Sequence, residues 1–369
     1  MTIHGLWEWY KNNVEYDFVL AETFKGKFVG IDTDNAIYKQ RCVQLAIYLK
    51  NFDPFNDDID HKAIDKKVLA KIVENLMSKY LKDGMMPIFV FDGDEKDVLK
   101  LSTLKNRAEP KKAAKKTYRA LRKKYKGKGI LQIPSEDLKK GRNCLAIMER
   151  MPRASMKLFV QFIKDLGFPW IKAKTEAERV CALINAQGLT CATVSDDGDC
   201  LACGGPVVIR GRTTTQKGGM AVGTYKVATL AAFLKALDLK VEKFQELCIM
   251  SGTDFNTWVK GTSFKTCKKL IDKHGSIRAY SKATGKDVSC INYKEVRTRF
   301  DVVPWKDTVS YYSLTISPKK LKSKLVAKDL IETVVHRMQS WKDKYGDLEV
   351  SEASEETLYS VSTSEEASI

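Results

Sequence analysis

Three short apolar runs each lead into an aspartate, and this constrains the chain more than any other feature. Lys27 to Asp32 reads KFVGID, Pro87 to Asp92 reads PIFVFD, and CATVS at Cys191 to Ser195 runs straight into Asp196-Asp197-Gly198-Asp199. Runs this short and this apolar, bounded by turn residues, are strands buried on both faces. Segments with helical periodicity separate them, at about Asp34–Lys50, Ala63–Leu81, Asp94–Lys126 and Pro152–Leu166, with another opening at Thr175 and helices dominating from Tyr225 to about Lys273. Trp170–Ala173, Leu189–Ser195 and Val207–Arg210 read as further strands, Asn51–Lys62 as a loop, and Gly127–Gly141 as poorly periodic. The alternation predicts an α/β fold with a mostly parallel central sheet flanked by helices. In such sheets ligands bind beyond the carboxyl ends of the strands. The three aspartate-tipped strands therefore deliver carboxylates to one edge.

Two more acidic groups can join them. Glu176 and Glu178 open a helix in KTEAER, and Asp254 follows an apolar helix in IMSGTDF. Asp32, Asp92, Glu176, Glu178, Asp197, Asp199 and Asp254 make seven carboxylates. Mutual repulsion would protonate some of them unless cations are present. Hard divalent ions suit all-oxygen ligands, and two of them roughly 4 Å apart can activate water and stabilise a leaving oxygen at a phosphodiester. Each piece alone has a plainer explanation. Asp32 could cap a helix, Thr175-x-x-Glu178 fits a capping box that leaves Glu176 unexplained, and Asp196 to Asp199 could be a surface turn.

Charge names the class of partner. The chain of 369 residues carries +17, yet residues 346–369 hold seven acids and no Lys or Arg, leaving the first 345 residues at +24. A body that basic binds a polyanion, and charge alone does not separate DNA from RNA. No apolar run is long enough to span a bilayer and the N-terminus lacks a signal-peptide pattern, so an intracellular protein is expected. Nine scattered cysteines read as reduced and mostly buried thiols; Cys200 and Cys203 form the only close pair, with no second pair to complete a zinc site.

With these residues in view, the chain resembles the flap endonuclease/XPG family of structure-specific 5′ nucleases, as a divergent member of cellular or viral origin. The similarity covers about residues 1–280: IHGL at the start, GID-x-x-x-AIY at Gly30–Tyr38, VFDG at Val90–Gly93, TEAERVCA at Thr175–Ala182, SDDGDCL at Ser195–Leu201 and CIMSGTDF at Cys248–Phe255. The resemblance implies a PIN-like or resolvase-like core, a helical arch and a helix-turn-helix-type duplex grip. It implies that the seven carboxylates hold two Mg²⁺, with Mn²⁺ able to substitute, and that Asp196 is not a ligand. It implies that Tyr38 stacks on a base near the scissile bond, and that Lys100 and Arg107 steer the scissile phosphate. Those two cations stand seven residues apart and so share a helix face, from which they can act electrostatically on a phosphoryl transition state.

Residues 100–128 contain 13 Lys or Arg and one acid, Glu109. Lying between the second and third acidic motifs, this insert matches the arch through which a single-stranded 5′ end passes, lined by Lys111, Lys112, Lys115, Lys116, Arg122, Lys123 and Lys124. A nuclear localisation signal or a non-specific phosphate patch is the alternative. Lys260 to Ser276 resembles the duplex grip, with Gly261, Ser263, Lys265, Lys268 and Lys269 as DNA-binding candidates. The family's second turn glycine is replaced there, since Thr262 and Ser263 follow Gly261. Thr2 stands where the family has a glycine, and no sliding-clamp motif is recognisable.

The expected organisation is a nuclease region in two parts, 1–110 and 151–255, a basic insert at 111–150, a helical DNA-binding and C-terminal region at 256–345, and an acidic, disordered tail at 346–369. The expected activity is Mg²⁺-dependent hydrolysis of branched or flapped DNA in replication, repair or recombination, as a 5′ flap endonuclease and 5′→3′ exonuclease leaving 5′-phosphates. A four-way-junction resolvase, a non-catalytic branched-DNA scaffold and a small-RNA nuclease are the alternatives.

Overall fold

The computed structural model describes residues 3–95, 97–217, 220–259, 261–301, 304–318 and 325–346. The acidic tail beyond Gly346, Thr2 and Lys260 lie outside the described residues. One sheet of eight strands organises the chain: β1 (Asp17–Leu20), β2 (Phe28–Asp32), β3 (Met86–Phe91), β4 (Trp170–Ala173), β5 (Thr193–Val194), β6 (Val207–Lys217), β7 (Met220–Thr229) and β8 (Val309–Ser313), in the order β1-β7-β6-β5-β2-β3-β4-β8. The five central strands β6, β5, β2, β3 and β4 run parallel. The outer strands β1, β7 and β8 pair antiparallel. The mostly parallel centre expected from the sequence is present, with antiparallel edges added.

β3 is buried at every position, which is why its sequence shows no alternation. Helices cover both faces. Thr33–Leu49, His61–Asn75, Arg153–Leu166 and Lys328–Tyr345 lie over one core, and Leu6–Asn13, Ala177–Ala186, Leu230–Leu237, Val241–Ser251 and Phe264–His274 over the other. On the first face Arg41, fully buried, pairs with Asp65 at 3.1 Å and donates to the Glu149 and Arg150 carbonyls at 2.6 and 2.9 Å.

Four local readings change. The poorly periodic stretch after Gly127 contains a helix, Ser135–Met148. The run read as a strand from Leu189 pairs only at Thr193–Val194. Val207–Arg210 is the start of a strand that reaches Lys217 and turns back as β7, so Tyr225 is in a strand rather than a helix. The helix placed at Thr175 begins at Ala177.

The basic insert is a long helix, Leu101–Tyr125, entered through a 3-10 turn at Val98–Lys100 and followed by Ser135–Met148. The pair is docked on the segment after the Thr33–Leu49 helix. Phe55 is fully buried there, stacking on Tyr118 and Tyr125 at centroid distances of 6.4 and 5.4 Å. Tyr118 donates to the Pro54 carbonyl at 2.7 Å, Arg142 donates to that of Phe52 at 2.8 Å, and Asn56 bonds the backbone at Gly127 and Lys128.

Candidate metal and phosphodiester site

The carboxylates gather where the strand order reverses. From β2 the chain steps outward through β3 to β4 on one side, then returns to place β5 and β6 on the other. The adjacent strands β5, β2, β3 and β4 therefore end together, and the crevice at such a reversal is where open α/β sheets bind ligands. Asp32 is the last residue of β2, Asp92 follows β3, Glu176 and Glu178 follow β4, and Asp197 and Asp199 follow β5. Asp254 comes from the opposite direction, three residues past the Val241–Ser251 helix.

Close backbone approach brings two of these groups together. Gly93 donates its N–H to the Thr175 carbonyl at 2.6 Å, and a Cβ on Gly93 would stand 1.7 Å from the Lys174 carbonyl oxygen. Only glycine lets the turn after Asp92 lie against the turn before Glu176. Asp92, Glu176 and Glu178 accordingly present oxygens within 4.8 Å of one another. Asp92 accepts from the Ala177 N–H at 3.0 Å, so it caps the helix that a Thr175–Glu178 capping box would have capped. Glu178 is left with a buried Oε2 that has no hydrogen-bond partner, and Asp199 likewise has a buried, unpartnered Oδ1.

The Asp196-to-Asp199 segment is no surface turn at Asp197 and Asp199. Asp197 and Asp199 are 4% and 5% exposed, with the Asp199 N–H donating to Asp197 Oδ1 at 3.0 Å. Asp196 points outward and is held by Lys39 and Arg210. Ser195 links two strand ends, donating to Asp32 Oδ2 at 2.8 Å and accepting from the Asp197 N–H at 2.9 Å.

Electrostatics follow from this crowding. Burial, reinforced by Asp32, Asp92 and Asp197, pushes the Glu178 carboxyl well above the usual range. Burial with Asp197 and Asp254 does the same to Asp199. Asp32, Asp92 and Asp197 are also raised, chiefly by burial. An eighth acid, Asp34, joins this field; burial and then Asp92 push it up to about 8. Its position in the first turn of a helix gives it an ordinary helical role in sequence, and so hides it.

Lys100 and Arg107 bond to acids of the cluster. Lys100, at the end of the 3-10 turn, donates to Glu176 and stands 4.0 Å from Asp254. Burial disfavours its charge, but Glu178 and Glu176 outweigh that and hold the ammonium above the ordinary lysine range. Arg107 donates to Asp254 at 2.5 Å, and Thr103, one helical turn earlier, donates to the Asp254 carbonyl at 2.8 Å. Tyr38 is 38% exposed on the Thr33–Leu49 helix, with the Arg150 guanidinium 3.5 Å from its hydroxyl.

The DNA-binding candidates divide by environment. Lys111, Lys115, Lys116 and Lys123 are exposed along the insert, whereas Lys112 pairs with Glu109, Arg122 with Asp58 and Lys124 with Asp137. In the C-terminal grip, Lys265 and Lys269 are exposed, while Lys268 is bound at 2.5 and 2.6 Å to both oxygens of Asp272. Gly261 has φ +82°, and Ser263 caps the Phe264–His274 helix through the Thr266 N–H. All nine cysteines are free thiols, and among the described residues Cys200 and Cys203 join no group able to hold a metal.

A sheet whose central strands end in buried acids, beneath a basic helical insert, defines a class of nuclease fold. The family description for the XPG N-terminal domain matches residues 1–114 and that for the XPG I-region matches residues 167–254. The chain belongs to the XPG family. Among individual proteins it is similar to flap endonuclease 1 of Theileria parva, 26% identical over 333 residues, covering 88% of this chain and 62% of that protein. It is also similar to flap endonuclease 1 of Sulfurisphaera tokodaii, 29% identical over 292 residues, covering 75% of this chain and 76% of that one. The chain thus spans less than two thirds of the Theileria parva relative. Its fold is that of the flap endonuclease-1 structure from Methanococcus jannaschii, with a TM-score of 0.60 at 22% identity, covering 91% of this chain and 98% of the other.

Proposed function

We propose that this chain is a divalent-metal-dependent deoxyribonuclease that hydrolyses phosphodiesters at single-strand/double-strand junctions, as a 5′ flap endonuclease and 5′→3′ exonuclease. The observation that supports it most directly is the buried carboxylate cluster, with the unpartnered oxygens of Glu178 and Asp199, facing Lys100 and Arg107. Unpaired buried acceptors are costly, and an all-oxygen donor set of this density fits hard cations such as Mg²⁺, with Mn²⁺ as a substitute. Asp32, Asp92, Glu176, Glu178, Asp197, Asp199 and Asp254 would hold two such ions. When bound, the ions neutralise the cluster, lower the pKa of water and stabilise charge on the phosphoryl oxygens.

The protein's own groups position the phosphate. Lys100 and Arg107 are now satisfied by Glu176 and Asp254. An arriving phosphodiester offers them a second set of anionic oxygens, and their charge then acts where negative charge develops. Hydrolysis adds water to phosphorus and breaks the bond to O3′, leaving a 5′-phosphate and a 3′-hydroxyl. Tyr38, exposed on the helix that follows Asp32, offers a ring for a base. The exposed lysines of the insert attract the single-stranded end, and those of the Phe264–His274 helix the duplex.

The test is cleavage of a 5′-flap duplex, a blunt duplex and a single strand with Mg²⁺, beside an Asp197→Ala variant. Preferential cutting of the flap, lost in the variant, is the expected result. No cleavage of any substrate removes the nuclease reading, and cleavage unaffected by the substitution removes the site assignment. Equal cutting of flap and single strand removes branch specificity.

A further inference from the structure

Between Asp254 and the basic helix Phe264–His274 the chain presents an indole that the proposed chemistry does not use. Trp258 is 42% exposed, whereas most tryptophan surface in folded proteins is covered. Its mounting is packed and hydrogen-bonded. The side chain packs on the Gly252 backbone, where a Cβ would stand 2.9 Å from the indole ring, and its ring centroid lies 4.6 Å from that of His4 at an interplanar angle of 36°. His4 is itself anchored by its N–H to the Gly252 carbonyl at 3.1 Å. Beneath the turn, buried Asn256 accepts from the Thr253 N–H and hydroxyl at 3.1 and 2.5 Å, and donates to the Ile249 and Thr257 carbonyls, both at 2.9 Å. Thr257 ties the same turn to the Cys290 carbonyl at 3.1 Å.

An exposed aromatic face held this firmly is pre-organised for a flat partner. The surroundings say which. Along the chain Trp258 lies four residues after Asp254 of the carboxylate site and seven before Lys265, which with Lys269 is exposed on the Phe264–His274 helix. A ligand that meets both is a nucleic acid strand. Within a continuous duplex each base face is covered by its neighbours, so a base available to stack on an indole is unpaired or at a duplex end. We propose that Trp258, backed by His4, is a stacking platform for an unpaired or terminal nucleobase at the edge of the bound duplex. The proposal rests on the reading of the chain as a nuclease for branched DNA, and supplies a contact selective for the branch rather than for phosphate charge.

The test uses the full chain with a fluorescent 5′-flap duplex and a fluorescent covalently closed circular duplex, continuous and without ends, with Ca²⁺ replacing Mg²⁺ for equilibrium binding. Trp258→Phe keeps an aromatic face, and Trp258→Leu keeps apolar bulk against Gly252 and His4 without one; thermal melting establishes that each is folded. Base–aromatic stacking of ordinary strength predicts that Trp258→Leu weakens flap binding about 5- to 150-fold, while Trp258→Phe retains most of the affinity. The slope of log affinity against log salt stays the same, because no phosphate contact is removed. Affinity for the continuous duplex changes little. A Leu variant that binds the flap like wild type, or that loses flap and continuous duplex equally, overturns the platform. Mg²⁺-dependent cleavage by the wild-type chain, measured in parallel, reports on the nuclease reading separately. A chain that cleaves flaps while the Leu variant binds normally loses the platform alone.

Discussion

Replacing Lys100 with methionine removes one charge from the centre of the site while keeping a side chain of similar length. The side chain is only 11% exposed, and its ammonium is bonded to Glu176, 4.0 Å from Asp254 and 4.8 Å from the Phe255 ring centre. Two consequences follow, of different size and visible under different conditions. Without metal, the acids lose their nearest counter-charge. Breaking a buried ion pair costs about 3–5 kcal/mol, and protonation of the already raised carboxyls lowers that figure. With metal, the ions supply the missing charge and most of the stability returns. Catalysis does not recover in the same way, because a positioned donor at a developing anion contributes about 10²–10³ in rate, or ~2.7–4 kcal/mol. The assays are single-turnover cleavage of a labelled flap across a Mg²⁺ titration, and thermal melts in EDTA and in Mg²⁺. The expected outcome is a 10²–10³ loss of rate at saturating Mg²⁺, a melting temperature depressed mainly in EDTA, and Mg²⁺ affinity that is unchanged or tighter. Recovery of the wild-type rate at high Mg²⁺ would refute the reasoning, since Lys100 would then serve only to hold the carboxylates.

The remaining predictions concern pH, the insert and the strand ends. Asp34, raised to about 8, and Glu178 and Asp199, raised well above their usual range, bind a proton more tightly in the folded chain than in the unfolded one. Their contribution is therefore most favourable at low pH and is lost as pH rises from the unfolded value of about 4 through the raised values. Melting temperature in EDTA should fall from pH 6 to pH 9, and Mg²⁺ should raise it more at pH 9; a metal-free protein that gains stability over that range contradicts the carboxylate account. Phe55→Ala removes a ring packed on Tyr118 and Tyr125, at a cost of about 3–5 kcal/mol, and should expose the Lys- and Arg-rich insert to limited trypsin digestion without DNA. A digestion pattern like that of wild type speaks against Phe55 as the anchor. Gly93→Ala places a methyl into the Lys174 carbonyl, so Asp92 and Glu176 must separate. Overpacking should cost about 1–3 kcal/mol in a thermal melt, with a larger loss of cleavage, and normal cleavage by the variant would show that this approach is unimportant.

How much was legible depended on whether a signal was local. β2 and β3 could be read because burial on both faces leaves a continuous apolar run, and an acid at its end marks the sheet edge. β1 and β8 were missed because edge strands of four and five residues carry little burial; Phe18 and Tyr311 are exposed. β7 contains the alternating GTYKVAT, but it runs directly into an apolar helix whose stronger pattern masks it. The helix Ser135–Met148 buries only Gly141, Cys144 and Leu145, too sparse a stripe to show a period. At the candidate site, the order of the seven acids in the chain is what marks them in the sequence. Ser195 and Asp34 were not, because a serine after a strand and an acid in a helix's first turn are ordinary in sequence. Their roles arise only from neighbours brought in by the fold. Pairing of Lys112, Arg122, Lys124 and Lys268 with nearby acids was equally invisible to a count of positive charges.

On the proposed function, the buried carboxylates form a divalent-ion site that serves phosphodiester hydrolysis. Mn²⁺ titration followed by electron paramagnetic resonance, on the wild-type chain and on a Glu178→Gln/Asp199→Asn variant, tests it most directly. The expected result is two tightly bound ions per wild-type chain, at least one lost in the double variant together with flap cleavage. Unchanged Mn²⁺ stoichiometry and affinity in a folded double variant would contradict it.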